Sequence, residues 1–86
     1  LHGLVRSLAK KLSPDVNVNA VAPGIIVTRM TTDIIRERGN SAANEAVLGR
    51  LGQPEEVAHV IAFLCSGGAS FINGQIIQVD GGIVFR

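Results

Sequence analysis

Leu1, Leu4, Val5, Leu8 and Leu12 recur at helical spacing, with His2, Gly3, Arg6 and Lys10 on the other side. The pattern predicts a helix over 1–13 with one apolar stripe. Ser13-Pro14-Asp15 stops it, because the residue before a proline disfavours helical backbone. In Val16–Ala22 the period drops to two: Val16, Val18, Ala20 and Ala22 share one face, Asn17, Asn19 and Val21 the other. A mostly buried strand is expected over 16–22. Pro23-Gly24 ends it, and a second β-like stretch, Ile25–Val27, leads to Thr28. From there to Asn44 the chain turns polar and charged, which reads as an excursion off the sheet with short helices at 31–38 and 42–47.

Gly49-Arg50-Leu51-Gly52-Gln53-Pro54-Glu55-Glu56 has the chemistry of a helix entry. Proline at the first helical position gives up no needed N–H, and two carboxylates in the first turn face the positive end of the dipole. The helix is expected over 54–66, with Val57, Val60, Ile61, Leu64 and Cys65 on the buried side and Glu55, His59, Ala62 and Ser66 opposite. Gly67-Gly68 would terminate it in left-handed conformation. Residues 74–79 read as a strand closed by Asp80-Gly81-Gly82. Strand, crossover with helix, strand is a βαβ unit, and its strands should be parallel. Two parallel strands are too few to stand alone, since strand 16–22 would leave unpaired backbone along an apolar edge. Something else must pair with it.

Composition narrows the function. The chain has 86 residues, too few for two domains, and is 47% hydrophobic and 17% charged, as a core-forming segment would be. A net charge of +1 with Lys10-Lys11 as the one adjacent pair of cations gives no basic patch for nucleic acid or an anionic membrane. No apolar run approaches the ~20 residues that span a bilayer, and residues 1–20 show no signal-peptide core. A cytoplasmic protein is expected. Cys65 is the single cysteine, and with only His2 and His59 beside it no metal site is expected. There is no tyrosine, hence no phenol to act as acid or base.

Three signatures stand in order: N-x-V-x-P-G at 19–24, G-R-x-G-x-P-E-E at 49–56 and V-D-G-G at 79–82. Together they resemble the C-terminal third of the short-chain dehydrogenase/reductase family, most closely its 3-oxoacyl-carrier-protein reductase-like branch, over essentially all of 1–86. Asn17, where the branch often has Arg, and Val47-Leu48, where it has x-Pro, depart from its pattern. The resemblance implies an α/β fold, the C-terminal βαβ part of a doubly wound, parallel-sheet Rossmann fold. The glycine-rich phosphate loop, the catalytic Ser and the Tyr and Lys of Y-x-x-x-K are absent, so no catalytic residue is expected here. By resemblance that Lys precedes Leu1 by three residues on the helix that continues as 1–13.

The resemblance further implies NAD or NADP as cofactor and a small-molecule carbonyl or alcohol substrate, with hydride moving between the two. Pro23-Gly24-Ile25-Ile26-Val27-Thr28 matches the family's P-G-x-x-x-T, the loop that in relatives holds the nicotinamide end. A carboxamide offers one acceptor and two donors, which an extended backbone and a hydroxyl can hold. Ile26 is thus expected as a backbone contact and Thr28 as the hydroxyl, with Pro23 and Gly24 shaping the turn. The competing reading is a catalytically inactive interaction module of the same fold. Expected partners are the N-terminal part of the parent enzyme and further copies in a homotetramer, with strand 74–79, helix 54–66 and the Gly81–Phe85 tail at the contact.

Other polar residues read as structural. Asn19, on a covered strand, must be hydrogen-bonded, and Asp80 suits an Asx-type turn. Arg50 is placed to pair with Glu55 or Glu56. Arg29, Arg36 and Arg38 lie on a segment resembling the family's substrate-covering flap, where such charge is ordinarily solvated. Cys65 reads as a small buried hydrophobe, and His2 and His59 as surface side chains.

Overall fold

The computed structural model describes residues 2–83. In chain order it comprises α1 (His2–Leu12), β1 (Ala20–Pro23), α2 (Thr32–Arg38), α3 (Asn40–Asn44), α4 (Pro54–Leu64), a 3-10 turn at Gly67–Ala69 and β2 (Ile76–Val79). The strands are parallel, with Ala20 opposite Ile76 and Pro23 opposite Val79. Helix α4 lies in the crossover between them and packs on both. The expected βαβ unit is therefore present. Leu1, placed at the head of the first predicted helix, and Val84 and Phe85 of the apolar tail lie outside the described residues.

Both strands are shorter than their sequence patterns predict, and the cause is a side-chain zipper at their N-terminal end. Asn73 and Gly74, the latter at φ +72°, turn the chain just before β2. Val18 cannot join a ladder there. Its N–H instead donates to Asn73 Oδ1 at 2.9 Å, and its carbonyl accepts from Gly74 N–H at 2.8 Å. Asn17 Nδ2 donates to the Ser70 carbonyl at 3.0 Å. Asn19 Nδ2 donates to the Ile72 carbonyl and Asn19 Oδ1 accepts from Gln75 N–H, each at 3.0 Å. Asparagine amides thus satisfy the backbone where the ladder stops, which accounts for polar residues in an otherwise apolar run.

Burial differs from the sequence pattern on both longer helices. On α1 the covered residues are Val5 (6% exposed) and Ala9 (5%), whereas Leu4 and Leu8 of the predicted stripe are exposed. Ala9 sits over Gly74, where a methyl group would come within 3.5 Å of the Ala9 side chain. The helix meets that turn through Ala9, and the leucines of the stripe are left exposed. On α4 the side expected to be buried is not: Val57, Val60 and Leu64 are half-buried, and Ile61 and Cys65 are exposed. They border a groove of about 370 Å3 with Leu64 of the same helix and Asn17, Asn19 and Val21. β1 itself is half-buried, not mostly buried, because only one of its edges is paired.

Two helix ends also move. The Gly67-Gly68 pair does not take left-handed backbone; α4 ends at Leu64, with Cys65 at φ −87° and Ser66 extended, and the glycines enter the 3-10 turn. Gly68 lies against the Phe63 ring, where an added methyl would sit 3.1 Å from Cε1. Helix α3 spans 40–44, displaced toward the N-terminus from the expected 42–47. Its tail is pulled into an antiparallel bridge, with Ala46 opposite Ile83, Val47 N–H donating to Gly82 and Leu48 N–H to Gly81. Backbone pairing with the segment after β2 takes the place of another helical turn. No helix among the described residues is long and apolar enough to cross a membrane.

Candidate functional site

The two strands bring their C-terminal ends together at Gly24 and Asp80. Gly24 N–H donates to the Val79 carbonyl at 3.0 Å. A Cβ on Gly24 would stand 2.9 Å from both Cα and Cβ of Asp80, so close an approach that only glycine fits. Asp80 in turn accepts the Gly82 N–H on Oδ1 at 2.9 Å, the Asx-type turn its position suggests. Gly81 and Gly82 follow at φ +67° and +80°.

Beyond Gly24 the chain crosses toward the entry of α4. Gly52 N–H donates to the Ile25 carbonyl at 3.0 Å, and Val27 N–H to the Gly52 carbonyl at 2.9 Å. In this parallel bridge Ile26 is the central residue. Its neighbours' groups face Gly52, so its own N–H and C=O face the other way. The Ile26 carbonyl receives the Thr31 hydroxyl at 2.5 Å. Its N–H has no partner among the described residues.

Thr28, Thr31 and Thr32 form a hydroxyl cluster at the start of α2. Thr28 N–H donates to Thr31 Oγ1 at 2.9 Å, Thr31 N–H donates to Thr28 Oγ1 at 3.3 Å, and Thr32 Oγ1 donates to the Thr28 carbonyl at 2.9 Å. The loop is thus a closed knot of local bonds whose threonines lie at or near the surface.

A cavity of about 250 Å3 lies behind this loop, between the strand ends and the 42–48 segment, with Ile26, Ala46, Arg50, Gly52, Asp80 and Ile83 on its walls. Arg50 grips Glu56 with two bonds of 2.9 Å. Glu55, the other carboxylate expected to compete for it, takes no part in an ion pair among the described residues. Glu56 also accepts the Gln53 N–H at 2.9 Å, which caps α4 from its third position. The guanidinium, and after it the Gln53 N–H, hold the Glu56 carboxyl down at about 2. A bidentate pair beside a helix start orients the loop at 49–53, and with it the Gly52 carbonyl on which Val27 hangs.

Of the residues singled out in the sequence, Gly24 and Ile26 line the cavity, while Pro23 and Thr28 are exposed and do not line it. Thr31, which the motif does not include, bonds to both Ile26 and Thr28. The available signal was the spacing T-x-x-T-T before a helix, where hydroxyls are expected to bond to nearby backbone.

A short parallel sheet with a crossover helix between its strands is the βαβ unit of a doubly wound α/β fold. The comparisons with known proteins agree. A family profile described as Enoyl-(Acyl carrier protein) reductase matches residues 1–84, and the chain belongs to this family, within the short-chain dehydrogenases/reductases of the FabG-like type. It is 51% identical over 84 residues to the 3-oxoacyl-[acyl-carrier-protein] reductase FabG of Aquifex aeolicus, covering 96% of this chain and 34% of that protein. Dehydrogenase/reductase SDR family member 4 of Mus musculus is 41% identical over 89 residues, and the match takes in 32% of its length. Among solved structures, a short-chain dehydrogenase/reductase described as glucose/ribitol dehydrogenase from Brucella melitensis superimposes with a TM-score of 0.91 at 46% identity. That match covers 99% of this chain and 35% of the other. The chain thus spans about a third of the length of the relatives it matches.

Proposed function

We propose that this chain forms part of a cytoplasmic oxidoreductase that transfers hydride between NAD or NADP and a carbonyl or alcohol substrate, and that its share of the work is to hold the nicotinamide end of the cofactor. The observation that carries this reading is Ile26: just past the carboxyl end of β1 and two residues before Thr28, its backbone N–H has no partner among the described residues. The residues fit the group. A carboxamide needs a donor for its oxygen and an acceptor for its nitrogen, which Ile26 N–H and Thr28 Oγ1 supply, while Pro23 and Gly24 set the turn that presents them. When bound, the dinucleotide supplies the hydride donor or acceptor; the protein supplies orientation. The Arg50–Glu56 pair keeps Gly52 in place behind Ile26 and so holds the loop against the sheet.

The proton donor and phosphate cradle would come from outside these 86 residues, because no tyrosine and no glycine-rich phosphate loop occurs in them. The second edge of β1, which pairs with no strand among the described residues, suits a further parallel strand of the same protein. Association of whole subunits through β2 and α4 is part of the same proposal. The names of the relatives point to 3-oxoacyl thioesters as the substrates to try first. In the full-length protein, titration with NADH and NADPH should enhance nicotinamide fluorescence, and one of them should be oxidised when a 3-oxoacyl thioester or another small carbonyl compound is added. Absence of binding by either dinucleotide would refute the reading.

A further inference from the structure

Thr31 occupies the position before α2 from which a threonine ordinarily bonds to the free N–H groups of the first helical turn. Here it makes no such bond. Its Oγ1 turns back to the loop, donating to the Ile26 carbonyl at 2.5 Å and accepting from Thr28 N–H at 2.9 Å. It also lies 3.2 Å from Thr28 Oγ1 and 3.2 Å from the Thr28 carbonyl. A hydroxyl carries one hydrogen. With that hydrogen on the short bond to Ile26, the Thr28 hydroxyl becomes the donor in the contact between the two threonines. Thr28 Oγ1, which also receives Thr31 N–H, is left with one lone pair and no hydrogen to offer. One side chain therefore decides which groups the loop presents.

We propose that Thr31 is a positioning residue for the cofactor, a role that rests on the nicotinamide reading above. By holding the Ile26 carbonyl it leaves the Ile26 N–H as the loop's free donor, and by drawing the Thr28 hydrogen to itself it sets Thr28 Oγ1 as an acceptor. Those are the two polarities a carboxamide requires. The lock also has an entropic consequence. Val27 is pinned to Gly52, but the exposed residues 28–30 depend on Thr31 and Thr32 for order, and a loop ordered beforehand does not charge that ordering to the ligand.

The test compares Thr31→Val, which keeps the shape and removes the hydroxyl, with Thr31→Ser, which keeps the hydroxyl, both in the full-length protein. In the cofactor-free protein, amide hydrogen exchange at Thr28 should quicken roughly tenfold in Thr31→Val and stay unchanged in Thr31→Ser, since the bond lost is the one that protects it. The dissociation constant for the reduced dinucleotide should rise roughly fivefold to tenfold in Thr31→Val, as for one hydrogen bond, and remain near wild type in Thr31→Ser. ADP-ribose, or its 2′-phosphate, lacks the nicotinamide and should bind all three proteins equally. Equal weakening of ADP-ribose and dinucleotide would make Thr31 a general fold residue and overturn the inference, as would unchanged dinucleotide affinity in Thr31→Val. If Thr31→Val does not fold, Thr31→Ala against Thr31→Ser decides between the same outcomes. A wild-type protein that binds no dinucleotide at all refutes the nicotinamide reading itself, a result distinct from either of these.

Discussion

The two ends of the parallel strand pair are finished by different chemistry. At the N-terminal end, Asn17, Asn19 and Asn73 reach across with amide side chains and take up backbone groups of the facing segment. At the C-terminal end the backbones themselves close in, with Gly24 against Asp80, and the following loop is held by hydroxyls while the Ile26 N–H has no partner among the described residues. An end whose polar groups are satisfied by side chains from within has nothing to offer a ligand. An end closed by glycine leaves room and free donors, and in parallel sheets that is where ligands bind. Substitutions at the two ends should therefore separate stability from binding.

The largest effect is expected at the glycine end. Gly24→Ala forces a methyl into the Asp80 backbone and should cost about 3 kcal/mol of stability in the full-length protein while also weakening dinucleotide binding, because the strand ends must part. Denaturant unfolding and a binding titration on the same sample check both. Asn19→Ala removes the bonds to Ile72 and Gln75 and should cost about 2 kcal/mol, with the affinity for dinucleotide unchanged. A loss of affinity there would mean that the two ends are not independent. Thr28→Val should do the reverse, weakening dinucleotide binding by about 1 kcal/mol with little change in the unfolding midpoint; unchanged affinity and turnover would remove Thr28 from the site.

The smallest effect is a pH dependence. Glu56 titrates at about 2 in the folded chain against an ordinary value of 4.5. A carboxyl whose value is depressed by folding contributes its stabilisation in full above the unfolded value, and that contribution drains away as pH falls from 4.5 toward 2. The pair with Arg50 is partly exposed, so the contribution is modest. Between those pH values the denaturant midpoint of wild type should fall more steeply than that of Glu56→Gln. Parallel slopes would show that the Arg50 pair does not persist in solution.

Much of this was legible in the chain itself, because it is written in short-range chemistry. Helical spacing placed α1 and α4 to within two residues of their observed ends, and Pro23-Gly24 marked the end of the strand at which the candidate site lies. The turn role of Asp80 and the pairing of Arg50 with a carboxylate of α4 followed from residues lying two and six positions apart. The three ordered motifs carried the family. Tertiary structure alone decided which apolar side chains are covered: the stripe on α1 is real, yet Val5 and Ala9 are the residues buried, because what faces the helix is the turn at Gly74. It also decided where the strands begin, since the asparagine bonds that displace the ladder join residues 53 to 56 positions apart. A local pattern reports what a residue can do with its near neighbours. What it does with groups brought up from fifty residues away, as Asn19 does with Gln75 and Gly24 with Asp80, is settled only when the chain has closed on itself.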